Sequence, residues 1–335
     1  GIDVLLVVPT VSLVEQMYSD FQDYGWKDLD KYVDKLYSGQ KTSDKKVLIS
    51  TWQSIHKRDI SFFSRFGALL CDETHTLSGL SLQDIAKKCT KAKYRIGLTG
   101  TMPKEEANRM TIEGYLGPVS YVLKAKELMD RDIISQLQIK NLLMKYPNDL
   151  RTARPTYQQE VHDILEYQER NKALEYIIDR SADGHNSLIL LHRIEHLRIV
   201  KEYLEKNFPN HIIYDIFGDT LPQRREEIRK RIENEGNVIL VSTFATMSTG
   251  VNIKKLHNII FFASYKSMIK ILQSIGRGLR KHDTKEFVTV WDCVDDLRYR
   301  QGGKSIKNYC FKHWEQRKEY YLEQEFTFSD TSIEI

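Results

Sequence analysis

Two doubly wound α/β domains with parallel sheets, followed by a helical C-terminal tail, are what this sequence predicts. Three observations point there. The chain has 335 residues, more than one core usually supports, because single cores stop growing near ~250–300 residues. Its strand-like segments are short runs apolar on both faces, the mark of a parallel sheet covered by helices on either side. Those runs alternate with helix-like segments, which is the doubly wound order.

The first set of runs is Val4–Val8, Val47–Ile49, Ala68–Cys71 and Arg95–Leu98, with helix-like segments at Ser12–Tyr24 and Ser81–Lys88. The second set is Leu188–Leu191, Ile212–Tyr214, Val238–Val241, Ile259–Phe262 and Phe287–Trp291. Helix-like segments at Ile194–Asn207, Gln223–Glu235 and Ser267–Ile275 separate these. Lys124–Asp132 and Lys145–Gln168 are polar and carry Pro147 and Pro155, so they read as a junction. After Asp296 the strand pattern is lost, and Ser305–Gln324 reads as helix. The expected division is a first domain over 1–135, a connector over 136–170, a second domain over 171–300 and a helical basic tail over 301–335.

The composition is 41% hydrophobic and 29% charged, which suits packed cores and excludes a disordered chain. No apolar run approaches the ~20 residues of a membrane helix. Gly1–Pro9 has no basic flank, so no secretory leader is expected, nor any membrane partner. The chain does not begin with Met, so its first residue need not be that of the gene product. Cys71, Cys89, Cys293 and Cys310 stand far apart without a CxxC pair, against a zinc knuckle or thioredoxin-type site and in favour of the reducing cytoplasm. The net charge of +4 is unevenly spread. Residues 254–318 hold fifteen Lys/Arg against six Asp/Glu, a net of +9, leaving −5 elsewhere. That stretch suits an anionic partner, phosphate or nucleic acid; charge alone does not separate this from a solvated Lys-rich surface.

Open α/β sheets bind ligands beyond the carboxyl ends of their strands. After Ala68–Cys71 come Asp72-Glu73-Thr74-His75. Two adjacent carboxylates at a buried strand end are costly unless a cation meets them. Mg²⁺ with a nucleotide phosphate is one solution, one carboxylate holding the metal and its neighbour orienting a water. A helix N-cap followed by a first-turn acid is the plain alternative. Val4–Val8 leads into Pro9-Thr10, Val47–Ile49 into Ser50-Thr51-Trp52-Gln53, and Arg95–Leu98 into Thr99-Gly100-Thr101. Hydroxyls and helix N-termini thus gather on the same rim, which suits phosphate.

In the second half, Val238–Val241 leads into Ser242, Thr243 and, further on, Gly250 and Asn252. Later stands Gln273-Ser274-Ile275-Gly276-Arg277-Gly278-Leu279-Arg280. In a helix Arg277 and Arg280 share a face, and Arg suits bidentate, permanent contact with phosphate. In isolation such a pair would more often be surface salt-bridge partners.

In this order the segments resemble the motifs of superfamily-two helicases. Pro9-Thr10 looks like motif Ia, Ser50–Gln53 like motif Ib, and Asp72-Glu73-Thr74-His75 like the DExH form of motif II. Thr99-Gly100-Thr101 is similar to motif III, Ser242–Asn252 to motif V, and Gln273–Arg280 to a QxxGRxxR motif VI. A closer resemblance is to the recombination helicases of tailed phages, through Thr51-Trp52-Gln53, Ser248-Thr249-Gly250, Leu256-His257, Gln273–His282, Val290-Trp291-Asp292 and the Lys/Tyr-rich tail.

The resemblance implies two RecA-like domains with a nucleotide cleft between them, ATP and Mg²⁺ as cofactors, and a monomer acting on branched or forked DNA or RNA–DNA hybrids in recombination, replication and repair. It makes Asp72 the Mg²⁺ ligand, Glu73 the residue that polarises water, and His75 a coupling residue. Arg277 and Arg280 go to the γ-phosphate, and Gln273, Gly276, Gly250 and Asn252 to the nucleotide. Pro9, Thr10, Thr51, Trp52, Gln53, Thr99, Thr101, Ser242 and Thr243 go to the nucleic-acid strand, mostly at its backbone, as sequence-blind translocation requires. Trp52 reads as a core aromatic or as a base-stacking wedge. A non-catalytic nucleic-acid-binding module and a DExH RNA helicase are the alternatives.

The family's phosphate loop, GxxxxGK[ST], has no counterpart before Pro9. Gly302-Gly303-Lys304-Ser305 ends like one, but five positions before Gly303 stands Arg298 rather than Gly, and the order along the chain is wrong, so it reads as a loop. The 335-residue chain by itself is therefore expected not to turn over ATP at a meaningful rate; a DNA-stimulated ATPase assay on the purified chain checks this.

Overall fold

The computed structural model describes residues 2–37, 44–100, 102–103, 105–247, 253–264 and 287–335, without the side chains of Ser78 and Pro222. It divides into two compact units, Gly1–Val122 and Leu123–Ile335. Among the described residues, no helix is long and apolar enough to cross a membrane.

In the first unit, β1 (Asp3–Val8), β2 (Val33–Leu36), β3 (Val47–Thr51), β4 (Phe66–Cys71) and β5 (Tyr94–Gly97) form one sheet in the order β2-β3-β1-β4-β5. Every pairing is parallel. Along β1, Leu5 and Val7 enter one core with Ile55, Phe63 and Ile85, while Leu6 and Val8 enter another with Val14 and Val33. Burial of both faces is why these strands read as continuous apolar runs. The sequence reading missed β2, because Asp34 and Lys35 interrupt it; charge in a short edge strand also discourages unwanted pairing.

In the second unit, β6 (Gln136–Lys145), β7 (Ser187–Leu191), β8 (Ile212–Ile216), β9 (Val238–Thr243), β10 (Asn258–Phe261) and β11 (Phe287–Asp296) share one sheet. A hairpin of β12 (Tyr299–Gln301) and β13 (Lys304–Ile306) follows, and β14 (Thr327–Glu334) rejoins the sheet, in the order β14-β6-β11-β10-β7-β9-β8. All pairings within this sheet are parallel. The expected helix Ser267–Ile275 lies outside the described residues.

Two expectations are corrected here. Residues 136–170 do more than connect: β6 pairs with both β11 and β14, with Ile139, Leu142 and Met144 fully buried. Nor is there a separate helical tail. Residues 301–335 hold five Lys/Arg against six Asp/Glu, so they are not basic. Helix Tyr309–Glu323 packs onto the sheet and β14 extends it. The helix buries Phe311 and Trp314 against Leu143 and Val294. Arg317, on the same helix, forms a bidentate pair with Asp292 of β11 at 2.9 and 2.7 Å, and Tyr321 donates to the same carboxylate at 2.8 Å. The helix N-terminus is capped by Glu160, which is 1% exposed and accepts the Tyr309 and Cys310 N–H groups. Gly302 and Gly303, at φ 56° and 77°, form the two-residue turn of the β12–β13 hairpin, a conformation that glycine reaches without steric cost.

Leaving Asp292 buried without its guanidinium is expensive. Arg317→Met is expected to cost about 3–5 kcal/mol, with the Arg317→Met, Asp292→Leu double variant recovering most of it, as read by urea unfolding.

Candidate functional site

The parallel register of the first sheet brings the strand exits onto one rim. Val8 lies opposite Thr51, Val7 opposite Cys71, and Cys71 opposite Gly97. The chain therefore leaves the sheet at Pro9, Trp52, Asp72 and Leu98 along a single edge. The Asp72 N–H continues the ladder by donating to the Val7 carbonyl at 2.9 Å, and the Leu98 N–H does so to Cys71 at 2.9 Å.

Beyond Asp72 the backbone turns sharply. Glu73 sits in the left-handed region, at φ 51° and ψ 50°, where a side chain with a Cβ costs about 1 kcal/mol or more. This turn lets the Glu73 N–H donate to Asp72 Oδ1 at 3.0 Å. Thr74, 1% exposed, then uses its N–H and its hydroxyl on the Leu98 carbonyl, at 2.9 and 3.3 Å. Gly97 makes this approach possible, since a Cβ there would stand 2.8 Å from Thr74 Cγ2 and 2.7 Å from Leu116 Cδ1. His75 Nδ1 lies 3.1 Å from Thr99 Oγ1 and 3.2 Å from Glu73 Oε2. Asp72, Glu73, His75 and Thr99 are thus one hydrogen-bonded cluster.

Burial raises the Asp72 carboxyl above its ordinary range, and the negative charge of Glu73 adds to this; the Glu73 N–H and His75 oppose without cancelling it. A divalent cation here would relieve both the desolvation and the repulsion. No group of three metal-ligating side chains occurs among the described residues, so protein ligands alone do not form a cage. Mg²⁺ ordinarily takes one or two carboxylates and completes its shell with water and phosphate oxygens, so the residues fit that ion. Burial pushes the adjacent Cys71 thiol up to about 12, which leaves it unionised.

The other rim residues divide by accessibility. Gln53 is exposed, and its amide donates to the Pro9 carbonyl at 3.3 Å, joining the first two strand exits. Thr10 caps helix Val11–Asp23, accepting the Leu13 N–H. Thr51 is buried, with its hydroxyl 2.8 Å from Ser54 Oγ. Trp52 is half-buried against the core and edge-on to His56, so packing engages much of its ring. In the second unit, the buried Ser242 donates to the Ile216 carbonyl, and Thr243 caps the turn that follows through the Thr246 N–H. Trp291 is a core residue of β11. Thr101, Gly250, Asn252, Gln273, Gly276, Arg277 and Arg280 lie outside the described residues. Sequence reasoning missed Thr74, Gly97 and Leu98, although a glycine one residue before Leu98-Thr99 was a usable sign of close approach.

Residues 2–104 match the family model of the type III restriction enzyme res subunit, and residues 169–282 match the helicase conserved C-terminal domain. One match falls in each unit, and the chain belongs to the superfamily-two helicases. Among its relatives, the ATP-dependent DNA helicase uvsW of Enterobacteria phage T4 is 28% identical over 99% of this chain and 68% of its own. The crystal structure of that protein superposes with a TM-score of 0.52 over 100% of this chain and 68% of its own, at 26% identity. The DNA 3'-5' translocase XPB2 of Sulfurisphaera tokodaii is 25% identical over 83% of this chain and 69% of its own. A fragment assigned to the HsdR subunit of a type I restriction enzyme from Vibrio vulnificus shares the fold, with a TM-score of 0.69 at 16% identity, over 100% of this chain and 58% of its own.

The strained backbone at Glu73 predicts a separation of stability from activity. Glu73→Asn, which tolerates the left-handed region and removes the charge beside Asp72, is expected to gain about 1 kcal/mol while losing nucleotide hydrolysis. Thermal unfolding and a phosphate-release assay on the full-length protein check the two halves.

Proposed function

We propose that this chain is the motor of an ATP-dependent DNA helicase or translocase that unwinds or branch-migrates DNA junctions and DNA–RNA hybrids. The carrying observation is the Asp72–Glu73 pair, two adjacent carboxylates half-buried at the carboxyl end of β4 and tied through His75 to Thr99. Asp292 is matched by a bidentate arginine, whereas burial and the charge of Glu73 both raise the Asp72 carboxyl, a perturbation suited to a ligand site. The relatives named for DNA unwinding and DNA translocation support the choice of DNA.

Magnesium bound with the nucleotide's phosphates supplies positive charge to the oxygens that become more negative as the phosphoryl group transfers. Asp72 contributes the carboxylate that holds this ion. Glu73 orients the attacking water and takes its proton. His75 ties the pair to Thr99 and so links hydrolysis to the β5 exit. Arg277 and Arg280 are assigned the cationic contacts to the γ-phosphate, with Gln273, Gly276, Gly250 and Asn252 on the nucleotide. Pro9, Thr10, Thr51, Trp52, Gln53, Thr99, Thr101, Ser242 and Thr243 are assigned to the nucleic-acid strand, mostly at its backbone.

In the full-length protein, Arg280→Ala is expected to abolish ATP turnover while leaving DNA affinity within about threefold. Comparable loss of DNA affinity would make it a strand contact. Strand displacement is expected on forked DNA rather than on duplex RNA; the reverse preference would sink the DNA assignment.

A further inference from the structure

We propose that the groove beside the β12–β13 hairpin is a second seat for the phosphodiester backbone of a nucleic-acid strand, an inference that rests on the function proposed above. The second sheet is parallel, so β6, β11 and β14 end on one rim, with Asp296, Lys145 and Glu334 side by side in register. The groove opens there, with a volume of about 560 Å³.

Its charge is unbalanced. Arg298 is committed to Asp296 by two hydrogen bonds, at 2.8 and 2.7 Å, and stacks over the Phe311 ring. Lys145 stands 3.8 Å from Glu334, too long for a hydrogen bond. Arg151 spends only its Nε on the Tyr146 carbonyl, and Arg300 is exposed with no partner among the described residues. Asp296 neutralises Arg298, while Glu334 is only loosely matched by Lys145, so Lys145, Arg151 and Arg300 together leave the groove with a net charge of +2 for phosphates. These cations line an open groove rather than converge on one enclosed point. Spaced, half-exposed cations suit a string of phosphates better than a single small anion. The nearby N-terminus of helix Tyr309–Glu323 does not compete for the anion, because Glu160 already caps it.

The hairpin is anchored at its base and exposed at its tip. The Leu297 N–H donates to Asn308 Oδ1, and Asn308 Nδ2 donates in turn to the Asp295 carbonyl and to Glu160. From there the tight Gly302–Gly303 turn holds Arg300 opposite Ser305, and both line the groove. Lys304, one residue before Ser305, faces the other side of the hairpin. Thr243 ends β9 on the same carboxyl side, three strands from β11 and, by the register, three residues short of the level of Asp296.

The test is binding of a fluorescein-labelled single-stranded oligonucleotide to the full-length protein across a salt series. Arg300→Ala with Lys145→Ala is expected to weaken binding about tenfold and to reduce the slope of log affinity against log salt by about 1.4, for two lost contacts. Lys206→Ala with Lys230→Ala, an equal change of charge on helices directed to the opposite rim, should leave both nearly unchanged. Arg300→Glu alone repeats the test without touching β6. If the groove variants match the control, or lose affinity with no change of slope, the groove is not a strand seat while the motor reading stands. If the unsubstituted protein shows no salt-dependent binding, both readings fall.

Discussion

Strand direction is the constraint on which everything else depends. In an all-parallel sheet each connection must return the chain to the starting edge, so helices cover both faces and leave only the edges for chemistry. In the first unit this brings Pro9, Trp52, Asp72 and Leu98 to one rim, one step beyond paired strand ends. In the second it sets the strand ends Lys145, Asp296 and Glu334 side by side. Sequence separation is irrelevant to this gathering: the amide of Gln53 meets the carbonyl of Pro9 because two parallel strands end together.

The carboxylates at these strands show how stability and function part company. On β11, Asp292 and Asp295 are almost fully buried, and each has a bidentate arginine, Arg317 on one face and Arg170 on the other. A tyrosine hydroxyl completes each, Tyr321 and Tyr146 respectively. Those pairs satisfy their own charge and so specify packing. Asp72 has a second carboxylate as neighbour, on a residue held in left-handed backbone. Strain at Glu73 and a raised Asp72 carboxyl are unfavourable for the isolated fold, and they are the conditions under which a cation and a phosphate would bind.

The strands bearing the motifs were legible because burial on both faces erases alternation and leaves short apolar runs; Val4–Val8 and Val238–Val241 fall inside β1 and β9. What was not legible lies at the sheet edges. β14 is mostly polar and exposed, so it passed for part of a helical tail, and β6 mixes Gln136, Gln138, Lys140 and Asn141 among its apolar residues, so it resembled linker. The order of the rim residues could be read, but not the use of their side chains. Ser242 and Thr51 looked like strand contacts by type, yet each hydroxyl is engaged within the fold. Thr74 looked incidental, yet it locks the β4 exit to the β5 exit.

Charge shows the same limit from the other side. The excess of Lys and Arg over 254–318 reads as a basic surface, but a run in sequence is not a patch in space. Arg317 is buried against Asp292, Lys318 pairs with Asp330 and Lys307 with Glu315, while Arg298 is neutralised by Asp296. Of that stretch the groove keeps Arg300, and it recruits Lys145 and Arg151 from a segment with no basic excess to notice. The parallel register is what joins them, setting the end of β6 beside the end of β11, 151 residues later in the chain. Electrostatic footprints on such folds are therefore composed across strand ends, and the unit to count is the rim rather than the window of sequence.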